Sequence, residues 1–408
     1  MILSVNACKS FVLFVAERRH ISAKHVGGTY LARHDGMATK RILITGGAGF
    51  IGSHLADELL SAGYRVRALD SLVSQVHADR SRPAYLDDEV ELMVGDVRNR
   101  DALARALHGV DAVFHLAAQV GVGQSMYQIA DYTATNVVGT STLLEALAVH
   151  PVERLIVASS MSIYGEGLYR TPDGAPVHDA ERSMDRLIAG RWELDTADGV
   201  PLTPAPTPES KKPSLKSVYA LTKFDQERLC LMVGEAYRVP TVAARFFNVY
   251  GPRQALSNPY TGVLAIFASR LLNRRAPVIF EDGEQRRDFV SVYDVARALR
   301  LALEVPEAAG QALNIGSGQS VSVREIAARL GVMLDAEDIE PEITGTHRVG
   351  DIRHCFADIT RARRVLGYDP QITLEAGLME LAGWLSGQRA ADRVAEAHAE
   401  LAARGLTV

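Results

Sequence analysis

Residues 41–63 read "RILITGGAGFIGSHLADELLSAG". A short apolar, β-branched run ends in a cluster of glycines, and an apolar pattern at helical spacing starts at once. A buried strand can hand over to a helix this abruptly only where side chains are absent from the turn, so Gly46, Gly49 and Gly52 constrain everything around them. The same rhythm recurs downstream. Strands are expected at "RVRALD" (65–70), "VELMVGD" (90–96), "AVFHLA" (112–117), "RLIVASS" (154–160) and "TVAARFF" (241–247), with helices near 50–63, 99–108, 131–149 and 215–237. Strands alternating with helices form right-handed βαβ units, hence a parallel sheet covered on both faces.

A glycine turn opening a βαβ unit lets the backbone approach a pyrophosphate, whose charge the helix N-terminus favours. The residues of that turn, Gly46, Gly49, Phe50, Ile51 and Gly52, are therefore candidate dinucleotide contacts. A tight strand–helix turn without a ligand would look similar. Asp70, at the end of the second strand and 18 residues after Gly52, adds the missing element. Its carboxylate can accept both ribose hydroxyls of an adenosine and would repel a 2′-phosphate, so NAD is expected rather than NADP. "GDV" after the third strand places Asp96 and Val97 near the adenine, unless Asp96 only ends a strand.

Beyond about Asn248 the rhythm breaks. Short strands at 277–280 and 312–316 mix with helices near 263–275, 292–304, 322–331 and 373–387. The fold class is thus α/β, a Rossmann-type doubly wound parallel sheet over 39–250, with a smaller α+β substrate-binding region over 251–387. A peripheral helical tail is expected at 388–408 and an upstream extension at 1–38, where Met37 precedes the first strand. Of the 408 residues 23% are charged, with a net charge of −5, so nothing offers a basic field to nucleic acid. No apolar run is long enough to span a membrane. Three scattered cysteines (Cys8, Cys230, Cys355) suit neither a disulfide framework nor a zinc site, so no metal and a reducing cytoplasm are expected.

Within "SVYALTKFDQE" (217–227), Tyr219 and Lys223 stand four residues apart, which on a helix puts phenol and ammonium on one face. Taken alone, that pair also describes an exposed helix. It gains meaning beside "HLAAQ" (115–119), Asn136, "SSMSIYG" (159–165), "RFFNVYGPR" (245–253) and "RRDFVSVYDVA" (286–296). In this order the chain resembles the extended short-chain dehydrogenase/reductases, and within them the nucleotide-sugar 4-epimerases and dehydratases, from about Lys40 to Trp384.

The resemblance implies NAD as cofactor, a nucleotide-diphosphate sugar as substrate and a homodimer formed through the 131–149 and 215–237 helices. It adds Leu116, Ala117 and Ala118 to the cofactor contacts. Tyr219 becomes the base for the sugar O4 proton, with its pKa lowered by Lys223 and the nicotinamide. Ser160, five residues before Gly165, holds O4. Ser125, Asn248, Arg287 and Arg353 are implied substrate contacts, the arginines for the diphosphate; Tyr164 and Tyr250 are expected to be packing residues.

Two positions separate the sub-reactions. The 4,6-dehydratases carry Asp–Glu after the serine, and sugar-acid decarboxylases tend to carry a Glu at the second position; here stand Met161 and Ser162. That leaves inversion at C4 as the expected reaction, ahead of dehydration or decarboxylation. A non-catalytic NAD-binding regulator is disfavoured by the intact Ser160, Tyr219 and Lys223. The chain departs from the family between Gly165 and Tyr219, where 53 residues intervene, about twice the usual spacing. This insert (166–213) is expected to place parts of itself near the sugar site. With "QVGVGQSMY", it is similar to bacterial dTDP-L-rhamnose 4-epimerase-like proteins, which sets dTDP-L-rhamnose beside UDP-glucose, UDP-galactose and UDP-glucuronate as candidate substrates.

Overall fold

Seven strands, β1 (Arg41–Thr45), β2 (Arg65–Asp70), β3 (Glu91–Val94), β4 (Ala112–His115), β5 (Arg154–Ser160), β6 (Thr241–Phe246) and β7 (Ala312–Ile315), lie in the order β7-β6-β5-β4-β1-β2-β3. All their pairings are parallel. This computed structural model describes residues 39–260, 262–388 and 391–407. The extension expected at 1–38, with Cys8, lies outside the described residues. The strand order reverses between β1 and β4, so the crevice at the carboxyl ends of the strands opens beside the glycine turn.

The central strands are buried along their whole length and mainly apolar, because helices cover both faces. Every residue of β5 and β6 is buried. Phe114, Ile156 and Val242 pack towards one layer of helices; Val113, Val157 and Ala243 pack towards the other. Ser217 caps the helix Val218–Ala236 by accepting the Ala220 N–H, which fixes where the turn carrying Tyr219 begins.

The second region is less separate than its sequence suggests. "ALNI" is not a strand of a small sheet: as β7 it extends the main sheet beyond β6, and the helix Val292–Glu304 packs on Phe50–Ser61, where Arg300 pairs with Glu58. A distinct core of Leu264, Phe267, Ile326 and Leu381 holds the remainder of 251–387 together.

The expected helix over 131–149 is interrupted. An α-turn Ile129–Tyr132 leads into a π-helical stretch Thr133–Val138 before Gly139–Val149 resumes as α-helix. Asn136, in the wide turn, accepts the Gln119 N–H at 2.7 Å and donates to Gln119 O and Thr222 Oγ1, each at 3.0 Å. The distorted helix thus clamps the loop after β4 to the helix of Tyr219.

The insert forms its own three-stranded antiparallel sheet, Leu168–Arg170 with Pro176–Val177 and Thr203–Ala205. Cys230 and Cys355 are buried free thiols, and among the described residues no helix is long and apolar enough to cross a membrane.

Between sheet and site, Arg245 of β6 forks onto Glu227, donating at 2.9 and 2.6 Å, and Ser159 Oγ donates to the same carboxylate at 2.6 Å. Glu227→Ala leaves a buried guanidinium unpaired and is expected to cost roughly 3–5 kcal/mol of stability, read from the urea midpoint.

Candidate active site

The glycine turn is packed too closely for side chains. Gly46 has φ +71°, and a Cβ on Gly52 would lie 2.3 Å from the Gly46 carbonyl oxygen, so a side chain there requires the backbone to move. Gly47, missed in the sequence because attention falls on the i, i+3, i+6 glycines, is equally crowded: its Cβ would meet the Ala68 methyl at 2.6 Å. The helix that follows starts at Gly49 with no side-chain cap, which leaves its first N–H groups for an anion.

That turn borders a cavity of about 630 Å³. Along it lie Gly46, Gly49, Phe50, Ile51, Gly52, Asp70, Asp96, Val97, Leu116, Ala117 and Ala118 at one end, and Ser160, Tyr219 and Lys223 beyond them. Asp70 accepts the N–H groups of Ala48 (3.0 Å) and Leu72 (2.9 Å), which aims the carboxylate. Asp96 is gripped by Arg98, whose hydrogen bonds hold its pKa below the usual carboxylate value.

The reactive face is braced from below. The Tyr219 N–H donates to Ser125 Oγ at 3.0 Å, and the edge of Tyr132 packs on its ring with centroids 6.4 Å apart. Burial pushes the Tyr219 phenol up, and the Ser160 hydroxyl opposes that rise. Lys223 is not what lowers it here. Its ammonium donates to Gln226 Oε1 at 2.6 Å, and burial brings the lysine down to about 8. Gln226 continues to Thr140 Oγ1 (2.9 Å), which meets His115 Nε2 at 2.8 Å. Burial, helped by Lys223, lowers His115 to about 3, so it is a neutral member of the packing. Ser160 Oγ donates to Ser162 Oγ and accepts the Ser162 N–H, both at 3.1 Å.

The substrate side departs from expectation at three points. Asn248 and Arg287 line the cavity, and Asn248 Oδ1 is buried without a partner, ready for a donor. Ser125 does not line it. Its hydroxyl is spent on Val122 O (2.6 Å) and the Tyr219 N–H, so it positions the helix. Arg353 does not line it either. Only 1% exposed, its guanidinium is saturated by Glu193, Glu281 and Asp282, with no donor free for a diphosphate. The cavity instead receives Arg348, whose Nε is buried and unpartnered, whose terminal nitrogen donates to Asp351 at 2.7 Å and whose guanidinium lies 5.5 Å over the Phe280 ring. Tyr164 is buried, its hydroxyl donating to Asn314, whereas Tyr250 both packs and touches the cavity.

None of residues 166–213 of the insert lines the cavity. Its Glu166 accepts the Arg353 N–H, its Arg182 bridges Glu166 (2.9 Å) and Glu281 (2.6 Å), and its Glu193 holds Arg353 and His354. It braces the segments that carry Arg348 and Phe280.

A family model described as "NAD dependent epimerase/dehydratase family" matches residues 42–183 and 197–316. The chain belongs to that family. It is 36% identical over 351 residues to a dTDP-L-rhamnose 4-epimerase of Burkholderia thailandensis, covering 85% of this chain and 95% of the relative. It is 35% identical over 341 residues to a UDP-glucose 4-epimerase of Mycolicibacterium smegmatis, covering 83% and 96%. Among solved structures, the Bacillus cereus UDP-glucuronic acid 4-epimerase in complex with UDP-glucuronic acid and NAD superposes with a TM-score of 0.67 at 28% identity, over 85% of this chain and 99% of that one.

NAD is the cofactor of this family member, and the residues fit it. The turn leaves a bare backbone cradle where Cβ atoms would intrude, an uncapped helix end points at it, and a carboxylate stands at the end of β2. Gly52→Ala is expected to abolish NAD retention, measured as nucleotide released from the purified, denatured protein. A second expectation concerns pH. With Lys223 at about 8 against 10.5 unfolded, the unfolded chain holds a proton that the native one lacks between those values. The penalty for burying the ammonium is therefore full below about pH 8 and fades as pH rises to 10.5. Relative to Lys223→Met, the cofactor-free wild type should gain up to roughly 3 kcal/mol across that window, measured by denaturant unfolding.

Proposed function

We propose that the protein inverts C4 of a nucleotide-diphosphate sugar through a transient 4-keto sugar, with dTDP-L-rhamnose the leading candidate substrate. The observation that carries this reading is the meeting of Ser160, Tyr219 and Lys223 with the glycine turn in one cavity. NAD, held by the turn, Asp70, Asp96, Val97, Leu116, Ala117, Ala118, Tyr219 and Lys223, supplies a hydride acceptor that gives the hydride back, together with a positively charged ring.

Tyr219 takes the proton of the C4 hydroxyl and later returns it. Ser160 donates to that oxygen and to the carbonyl it becomes. A buried phenol with a raised pKa needs a cation nearby to ionise at neutral pH, and Lys223 is the protein's contribution. Its ammonium must then leave Gln226, or share its protons, when the site is filled. Asn248 offers its free Oδ1 to a substrate donor. Arg287 and Arg348 hold the diphosphate. Arg287 is steered by the carbonyl oxygens of Ile352 (2.7 Å) and Arg353 (2.8 Å), so Arg353 contributes through its backbone while its side chain stays in the brace.

Dehydration and decarboxylation ask for a carboxyl acid or base after the serine. Met161 and Ser162 line the cavity in those positions, and neither can transfer a proton as a carboxyl does. The dTDP-L-rhamnose assignment rests on the Burkholderia relative and on the insert; UDP sugars remain the comparison substrates. A cytoplasmic homodimer completes the reading. Val138, Leu221 and Met232, each about half exposed on the two helices expected to pair, are the apolar surface for it.

The test is to follow dTDP-L-rhamnose, UDP-galactose and UDP-glucuronate by NMR with the purified enzyme. C4 inversion of dTDP-L-rhamnose is expected, and turnover of a UDP sugar alone refutes that choice. Tyr219→Phe should keep its NAD and lose roughly 10³-fold in turnover.

A further inference from the structure

The tail, expected to be a peripheral helix, is instead built into the cavity. The helix Val394–Ala403 sends Val394, Ala397, His398 and Leu401 into the lining, at the i, i+3, i+4 and i+7 spacing of a single stripe. It is tied down on every side. Asp392, its side chain shielded, pairs with Arg275 (2.9 Å) and Arg270 (3.4 Å), and Arg404 lies 4.6 Å over the Tyr127 ring. The Val349 N–H donates to Leu406 O at 2.9 Å, and Arg348 bridges to Thr407. The residue whose guanidinium faces the cavity is thereby paired through its backbone with the end of the chain.

Accepting the nucleotide-sugar reading above, the substrate is a linear ligand whose parts can be laid along the cavity. Its C4 lies at Ser160 and Tyr219, and its diphosphate at Arg287 and Arg348. What remains is the nucleoside, which must continue past Arg348. There the Arg348 guanidinium lies over Phe280, and the Phe280 ring meets the His398 ring at 5.1 Å between centroids with 53° between planes. Two ring faces beside a cation, flanked by Ile266 and Leu401, make a surface suited to a flat heterocycle.

We propose that the C-terminal helix is a wall of the substrate site and that His398, with Phe280, holds the pyrimidine base of the nucleotide sugar. His398 is drawn down from the usual histidine pKa by burial, and also by Arg348 and Arg270, against Glu342 and Asp392, so it meets the base as a neutral ring. The tail then acts in two ways. It supplies a base contact, and it fixes the loop of Arg348 that precedes the diphosphate.

The test compares wild type, His398→Ala and His398→Phe as full-length, NAD-loaded proteins by calorimetry, with thymidine diphosphate, uridine diphosphate and inorganic pyrophosphate as probes. Loss of the ring face should weaken both nucleoside diphosphates about tenfold in His398→Ala, leave pyrophosphate unchanged, and be largely restored in His398→Phe. KM for the sugar nucleotide should rise by a similar factor with kcat nearly constant. Nucleoside diphosphate binding as tight in His398→Ala as in wild type overturns this inference alone. An equal loss for pyrophosphate also overturns it, because the tail would then act only through Arg348. A wild-type protein that binds neither nucleoside diphosphate overturns the functional reading and this inference with it. Bound NAD, unchanged across the three proteins, shows that each is folded.

Discussion

A charge pair shut away from water, Glu227 with Arg245, sets the position of everything that reacts. Burying two ions is expensive and is tolerated only where geometry and further hydrogen bonds compensate. Here the compensation comes from Ser159 on β5, from Tyr164, and through Tyr164 from Asn314 on β7. Three neighbouring strands and the helix of Tyr219 are thus referred to one carboxylate. Ser160 is the next residue after Ser159, and Lys223 lies one turn before Glu227. A shift of the pair would move the Ser160 hydroxyl relative to the Tyr219 phenol across the cavity. The same carboxylate raises the Lys223 pKa against the larger effect of burial, so the structural ion also tempers the ammonium in the cavity wall.

How far the sequence led depended on whether a signal was local. Strands β1 to β6 were legible because each holds a short run rich in apolar and β-branched residues bounded by turn signals, and that pattern needs no partner to be seen. β7 has the same kind of sequence, yet it rejoins the sheet after an excursion of some sixty residues, and nothing in "ALNI" says which edge it meets. The π-helical turn at Asn136 was invisible for another reason: its cause is the loop at Gln119 and the hydroxyl of Thr222, both distant in sequence. At the site, the glycine turn and the Tyr219–Lys223 pair were readable because backbone clearance and helical spacing are local facts.

The arginines were not. Arg348 and Arg353 stand five residues apart in one glycine-containing stretch, and both look fit to grip a diphosphate. What separates them is the insert, since Glu193, 160 residues upstream of Arg353, and Arg182, from the same segment, close the cage in which Arg353 is consumed. The buried, unpartnered Nε of Arg348 is the opposite condition, a donor that no protein atom satisfies. Partner counting in three dimensions distinguishes a structural arginine from a ligand-seeking one, and residue type does not.

The insert and the tail therefore divide a task that neither performs by direct chemistry on the sugar. The insert's carboxylates fix Arg353, whose backbone carbonyl steers Arg287; the tail's backbone fixes Arg348 from the other side. Both devices act on the segment 347–354, which carries one cavity arginine and orients the other. A nucleotide sugar must swing its keto sugar between two faces without releasing the nucleotide, and that requires the grip on the diphosphate and base to be stiffer than the grip on the sugar. Two added segments, far apart in sequence, converge on that loop and stiffen it, whereas the cavity wall at Ser160, Ser162 and Asn248 offers only single hydroxyls and an unpartnered amide oxygen. On the proposed reading, this asymmetry between a stiff end and a lightly built end of the cavity is what inversion at one carbon demands of a scaffold that would otherwise oxidise and let go.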